Sequence, residues 1–198
     1  ALYEFRSKAN SLGRNVMMGL RECIDRVERD PDLRGMVIGN EGKNFSVGAN
    51  LGEMAMAASQ GEFEVIGQYI DEFQDTVQQV RYATKPVVAA PHQRTLGGAC
   101  EISMACPHPV ADAETYIGLV ELGVGLIPAG TGTMRMAAKA AKEAPNDNPS
   151  EIQAHLRPYF ETVAMAEVAE GAAEGIEMGF LPETTRIVMH TDRRLYAA

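Results

Sequence analysis

The sequence predicts an α/β domain. Short apolar runs bounded by glycine or proline alternate with stretches whose apolar residues recur every three or four positions. The composition, 45% apolar and 23% charged over 198 residues, is that of one globular unit able to close a core without disulfide or metal staples. No internal repeat and no low-complexity segment interrupts the alternation.

The elements follow in order. Residues 2–5 read as a short strand that starts with the chain itself, which implies a natural N-terminus further upstream. Val16, Leu20, Ile24 and Val27 share one helical face, which Asp30-Pro31 ends. Gly35-Met36-Val37-Ile38-Gly39 reads as a buried strand, and residues 41–52 as a polar, glycine-rich loop. Over residues 62–81, Phe63, Ile66, Ile70, Phe73, Val77 and Val80 trace one face of a helix. Lys85-Pro86-Val87-Val88-Ala89-Ala90 is a second buried strand, with Pro86 at its start, where a missing donor is tolerated. Gly97-Gly98 precedes a buried helix over 99–106; short strands are expected at 110–112 and 116–118, and a loop feeding a helix over 130–142. These elements make a core of residues 1–143. Residues 144–151, with the stretch Ala-Pro-Asn-Asp-Asn-Pro-Ser, read as a flexible loop. Residues 152–198 form a C-terminal helical region. It is dominated by a single alanine-rich helix over 152–178, stopped by Gly179 and suited to close helix approach and oligomerisation.

Charge and composition exclude several classes. The 18 basic and 27 acidic residues give a net charge of −9, which argues against nucleic acid as partner. No apolar run reaches the roughly 20 residues of a membrane span, and residues 1–10 lack a signal-peptide core. Cys23, Cys100 and Cys106 form no paired motif and point to free thiols in a reducing compartment, so a cytoplasmic location is expected. His92, His108, His155 and His190 are scattered, with no zinc spacing, and no metal site is expected. Gly123-Val124-Gly125-Leu126-Ile127-Pro128 lacks the third glycine of a dinucleotide fingerprint, and Gly130-Thr131-Gly132-Thr133 lacks the lysine of a phosphate loop. Both read as turn glycines. No GxSxG nucleophile elbow is present.

Three segments carry more together than apart: Phe45-Ser46-Val47-Gly48-Ala49-Asn50-Leu51; Lys85 to Ala90 with Leu96-Gly97-Gly98-Ala99-Cys100-Glu101; and Gly118-Leu119-Val120-Glu121-Leu122-Gly123 with Ile127-Pro128-Ala129-Gly130-Thr131-Gly132-Thr133. In this order and spacing the chain resembles the crotonase (enoyl-CoA hydratase/isomerase) superfamily over residues 2–181. The resemblance implies a ββα spiral core with a C-terminal helical region, and an acyl-CoA thioester as substrate. It places the oxyanion hole at the amides of Ala49 and Gly98, where small residues let a thioester approach the main chain. The catalytic pair would be Glu101 and Glu121, two carboxylates sharing work on one water. Alone, Glu101 also reads as a surface acid in a first helical turn. Glu121 sits among apolar residues, where an unpaired carboxylate is costly.

Substrate contacts would come from Asn50, Leu51 and Gly97, and from Lys8, Ala9 and Asn10, which resemble the segment receiving the CoA adenine. Arg6, Lys8 and Arg14 would give that segment a positive field, although the same residues read equally as a solvated face. The sequence departs from the family pattern at Asn50 (usually Asp), Gln93-Arg94 (a Gly-aromatic pair), Pro107 (often Asp) and Thr131 (usually Gly). The resemblance implies an enoyl-CoA hydratase of fatty-acid β-oxidation, with CoA only as part of the substrate and no other cofactor. An isomerase, or a non-catalytic acyl-CoA-binding module, is the alternative. In style the chain looks most like the hydratase portion of bifunctional 3-hydroxyacyl-CoA dehydrogenases, which implies a dehydrogenase domain elsewhere on the parent chain. A homo-oligomer, a trimer or a pair of trimers, is expected.

Overall fold

Three short parallel strands organise the N-terminal half of the computed structural model, which describes residues 1–146 and 148–198. Strands β1 (Leu2–Tyr3), β2 (Met36–Ile38) and β3 (Val87–Ala89) pair in that order, with Val37 opposite both Leu2 and Val88. The link from β1 to β2 is helix α1 (Arg14–Arg29), which buries Met17, Leu20, Ile24 and Val27, close to the face its periodicity predicts. Lys85 finishes this helix. Its Nζ donates to the carbonyls of Val27 (2.9 Å), Asp30 (2.5 Å) and Leu33 (2.7 Å), where the dipole favours a cation. The lysine preceding Pro86 is therefore structural.

The polar loop after β2 is shorter than expected. It ends at Asn50, where helix α2 (Leu51–Ser59) begins. Helix α3 (Phe63–Tyr82) matches its predicted span, but only its C-terminal half is core: Phe73, Val77 and Val80 are buried, whereas Phe63 is 69% exposed. Helix α4 (Gly98–Ala105) is buried along its whole length, as an apolar helix without a polar face must be. Strand β4 (Gln93–Leu96), which local pattern does not predict, precedes it; β5 (Val110–Asp112) and β6 (Thr115–Gly118) follow. Strand β4 runs parallel to β6, with Thr95 opposite Ile117. Helix α5 (Gly132–Glu143) follows the glycine-rich turn.

The C-terminal region corrects the expected single helix over 152–178. Helix α6 (Pro149–Ala164) starts inside the segment expected as a loop: Pro149 occupies its first turn and Asn148 caps it by accepting from the Ser150 amide. The position of that loop at residue 147 lies outside the described residues. The chain then leaves the helix, with Ala166 at φ 52°, and Ala169 forms an antiparallel bridge to Ile117, its N–H donating to the Ile117 carbonyl at 2.9 Å. Helix α7 (Ala172–Glu177) follows. A tertiary bond to β6 thus outweighs the helix propensity of the alanines. Ala169 and Ala172 are fully buried with Ile117, Leu119, Phe180 and Leu181, so these two alanines serve packing within the chain. Strand β7 (Arg186–Val188), also unforeseen, pairs with β5, and helix α8 (Arg194–Ala197) ends the chain.

Helix α8 is docked by a buried charge. Arg194 Nη2 donates to the Asn40 carbonyl at 2.7 Å, and Nη1 lies 3.9 Å from Asp112 Oδ2, with both side chains under 5% exposed. Leu195 sits over Gly39, where a Cβ would come within 2.5 Å of its Cδ2. Removing one member of such a pair strands the other charge. Arg194→Ala is expected to cost about 3 kcal/mol or more by urea unfolding. Arg194→Met combined with Asp112→Asn should recover much of that loss.

Candidate active site

Two backbone segments meet at the centre of the molecule. Ser46 accepts from the Leu96 amide (3.1 Å) and donates its own N–H to the Arg94 carbonyl (3.1 Å), laying residues 46–50 beside β4 and the start of α4. Leu12 binds the other side, donating to the Gly48 carbonyl (2.8 Å) and accepting from the Asn50 amide (3.3 Å). Two glycines make this approach possible. Gly48 has φ +90° and a Cβ there would lie 2.7 Å from the Leu96 carbonyl oxygen; Gly97 has φ +56° and a Cβ would lie 3.0 Å from Glu121 Oε1. Gly97 thereby turns the chain so that Gly98 opens α4. Among the described residues neither the Ala49 nor the Gly98 amide has an acceptor. Both residues line one cleft, and the Gly98 N–H also carries the positive end of the α4 dipole.

That cleft, of about 380 Å³, is also lined by Met54, Tyr69, Ile70, Phe73, Leu126 and Ile127, with Glu101 and Glu121 as its charged groups. The alternative reading of Glu101 as a surface acid does not hold: it is 3% exposed. Its Oε1 accepts from the Gly132 amide at 2.7 Å, at the N-terminus of α5. Burial, then the neighbouring Glu121, push its carboxyl up to about 8, while the Gly132 and Gly130 amides and Arg135 pull the other way. Burial likewise raises Glu121, whose Oε2 has no partner among the described residues. Two like charges in one apolar wall disfavour joint ionisation, which adds to the effect of burial on Glu101. Tyr69 is fixed by its hydroxyl bond to the Leu12 carbonyl at 2.6 Å.

The structure brings Ala49, Gly98, Glu101 and Glu121 to one cleft, with Gly97 against Glu121. Asn50 and Leu51 lie at the start of α2; the Asn50 side chain donates to Glu53 Oε1 at 2.7 Å and faces two adjacent grooves. Lys8, Ala9 and Asn10 form a 3₁₀ turn outside the cleft lining, tied to the 41–45 loop by Asn10 Nδ2 donating to the Asn44 carbonyl at 2.9 Å. The positive field expected there is weakened, because Arg6 pairs with Glu4 and Arg14 with Glu72. Sequence reasoning took Gly130 and Gly132 for turn glycines. They face the Glu101 carboxyl, and a Cβ at Gly130 would collide with it and with Phe73. A Gly-x-Gly step before a helix is an anion-cradling signal, but its anion stands 31 residues away in the chain.

Solved structures share this architecture. An enoyl-CoA hydratase from Polaromonas sp. superposes over 100% of this chain and 70% of its own with a TM-score of 0.78 at 22% identity. An enoyl-CoA hydratase/isomerase from Xanthobacter autotrophicus covers 99% and 65% with a TM-score of 0.76 at 20% identity. The fold is the crotonase spiral. The chain belongs to the enoyl-CoA hydratase/isomerase family, whose model matches residues 4–147. A Bacillus subtilis protein described as "Probable 3-hydroxyacyl-CoA dehydrogenase" is 39% identical over 198 residues, 100% of this chain and 24% of the relative. A crotonyl-CoA hydratase of Syntrophomonas wolfei is 31% identical over 139 residues, 68% of this chain and 51% of the relative. The chain spans about half or less of these relatives' lengths.

The raised Glu101 carboxyl carries a stability signature. The folded chain binds this proton more tightly than the unfolded chain, so stability falls as pH rises from the ordinary 4.5 toward about 8. Glu101→Gln removes that cost. Its Tm is expected to exceed the parent's above about pH 8 and to converge with it below about pH 4.5, measured by calorimetry across the range.

Proposed function

We propose that this chain is an enoyl-CoA hydratase unit that adds water across a trans-2-enoyl-CoA to give a 3-hydroxyacyl-CoA in fatty-acid β-oxidation. The observation that carries the reading is the meeting of two unbonded amides and two buried carboxyl groups in one apolar cleft. The thioester oxygen accepts from the Ala49 and Gly98 N–H groups, which stabilise the negative charge it gains as water attacks C3. One carboxylate takes a proton from that water while the other carboxyl delivers a proton to C2, so the elements of one water molecule are added with no net redox change. The reaction therefore needs no redox cofactor, and CoA enters only within the substrate. The wall formed by Met54, Ile70, Phe73, Leu126 and Ile127 suits an uncharged, apolar acyl chain. Lys8, Ala9 and Asn10, in the turn that Asn10 ties to the Asn44 carbonyl, would receive the adenine end, with Asn50, Leu51 and Gly97 contacting the thioester arm.

The product suits a 3-hydroxyacyl-CoA dehydrogenase, the activity in the Bacillus subtilis relative's description, and a linked dehydrogenase belongs to this proposal. The deciding measurement is kcat for crotonyl-CoA hydration beside CoA affinity. Glu101→Gln and Glu121→Gln should each lose about 10²–10⁴-fold in kcat with CoA affinity nearly intact. The double variant should be little worse than either single one. A variant within about threefold of the parent sinks the paired mechanism; continued double-bond migration in one variant would indicate an isomerase, and indifference to both a binding module.

A threefold homo-oligomer is proposed as well. Its contacts would be the exposed Phe160 (67%) and Met165 (73%) of the C-terminal region rather than the buried alanines. Light scattering at micromolar concentration should give a trimer or a pair of trimers; a monomer overturns it.

A further inference from the structure

Thr131 holds an unusual backbone. Its φ is 104° and ψ −5°, a conformation that favours glycine and that a β-branched residue seldom adopts. It is 7% exposed and lies between the two glycines that face Glu101. The turn is held from behind by Arg135, one helical turn along α5. Arg135 donates its backbone N–H to the Thr131 carbonyl (2.9 Å) and its Nε to Thr131 Oγ1 (3.2 Å). Its Nη2 reaches Gln78 Oε1 on α3 at 3.4 Å. A chain of contacts therefore runs from Gln78 through Arg135 and Thr131 to the Gly132 N–H and the Glu101 carboxyl.

The charge of Arg135 has no evident structural use. It is half-buried, and among the described residues it forms no ion pair. Burial and Arg81 of α3 disfavour its charged form, while Tyr82 of α3, Cys106 after α4 and Glu101 favour it. A half-buried cation without an ion pair is costly, and the only carboxylate among the described residues whose charge favours it is Glu101, to which Thr131 and Gly132 connect it.

We infer that Arg135 and Thr131 are positioning residues that hold the Gly130–Gly132 turn against the Glu101 carboxyl and place a counter-charge behind it. The inference rests on reading Glu101 as one half of the hydratase pair. Arg135 lies outside the cleft lining; it acts through the turn and through its field. Glu101 also interacts with Glu121 of the same cleft, Tyr69 of α3 and the buried Cys100 thiol of α4, so the effect of Arg135 must be read against an unchanged background at those groups.

The test separates this role from turnover. The Glu101 carboxyl is titrated by ¹³C NMR in glutamate-labelled protein, its signal assigned by loss in Glu101→Gln. In Arg135→Met the midpoint should rise by about one pH unit, the scale of a lost neighbouring charge, and Arg135→Lys should bring it back toward the parent value. Thr131→Val keeps the shape and deletes the acceptor for Arg135; it should move the midpoint the same way by less, and it serves should Arg135→Met not fold. In the hydration assay the pH limb of kcat should move with the midpoint while KM stays nearly constant. An unchanged midpoint in Arg135→Met, or in Thr131→Val if the former does not fold, overturns the inference. So does a shift that Arg135→Lys fails to reverse. A parent without hydratase activity would refute the proposed reaction, yet the titration would still decide the role of Arg135.

Discussion

Keeping a carboxyl group inside an apolar wall is the constraint around which this molecule is arranged. Glu101 lies on a helix with no polar face, and desolvation alone would make its ionised form untenable. The chain answers with the N-terminus of α5, whose Gly132 amide binds one carboxylate oxygen. That arrangement forces glycine at 130 and 132, since a Cβ at either would press on the carboxyl. It also brings the α4–α5 contact to the floor of the cleft, so that the packing of two helices and the state of one proton become the same problem.

The placing of the Ala49 and Gly98 amides depends on the same buried helix. The Gly98 amide is the first of α4, and Ala49 reaches it only because strand-like bonds fasten residues 46–50 to Leu12 on one side and Leu96 on the other. Those bonds leave the amides of these two cleft-lining residues without acceptors among the described residues. At the far end of the molecule, Arg194 performs a comparable service for the loop after β2. It binds the Asn40 carbonyl, and the Asn40 side chain in turn donates to the Phe45 carbonyl at 2.9 Å, immediately before the segment that carries Ala49. The last helix of the chain is thereby connected to the loop that shapes the cleft.

Local pattern located most elements, and its errors share a cause. The periodicity of residues 62–81 reported a helix correctly, but it could not say that Ile70 and Phe73 would line a cleft while Val77 and Val80 filled the core. Alanines over 164–173 predicted continuous helix; the bridge from Ala169 to Ile117 broke it, and no window of sequence contains both residues. Strands β4 and β7 were missed because each is short and takes its bonds from a distant partner.

What the sequence determined by itself was the family, through three blocks in register, and the alternation of strand and helix; it also singled out the two glutamates and the small residues at 49 and 98 that the fold brings to one cleft. These are local or fixed-spacing features, and fixed spacing is what a linear text preserves. Tertiary structure alone decided that Glu101 is buried rather than exposed, that the glycines at 130 and 132 serve it, and that Arg135 stands behind them through a strained Thr131. Each of those depends on how closely two remote segments approach. Coulomb and desolvation energies depend on distance and burial, which no residue's neighbours in sequence fix.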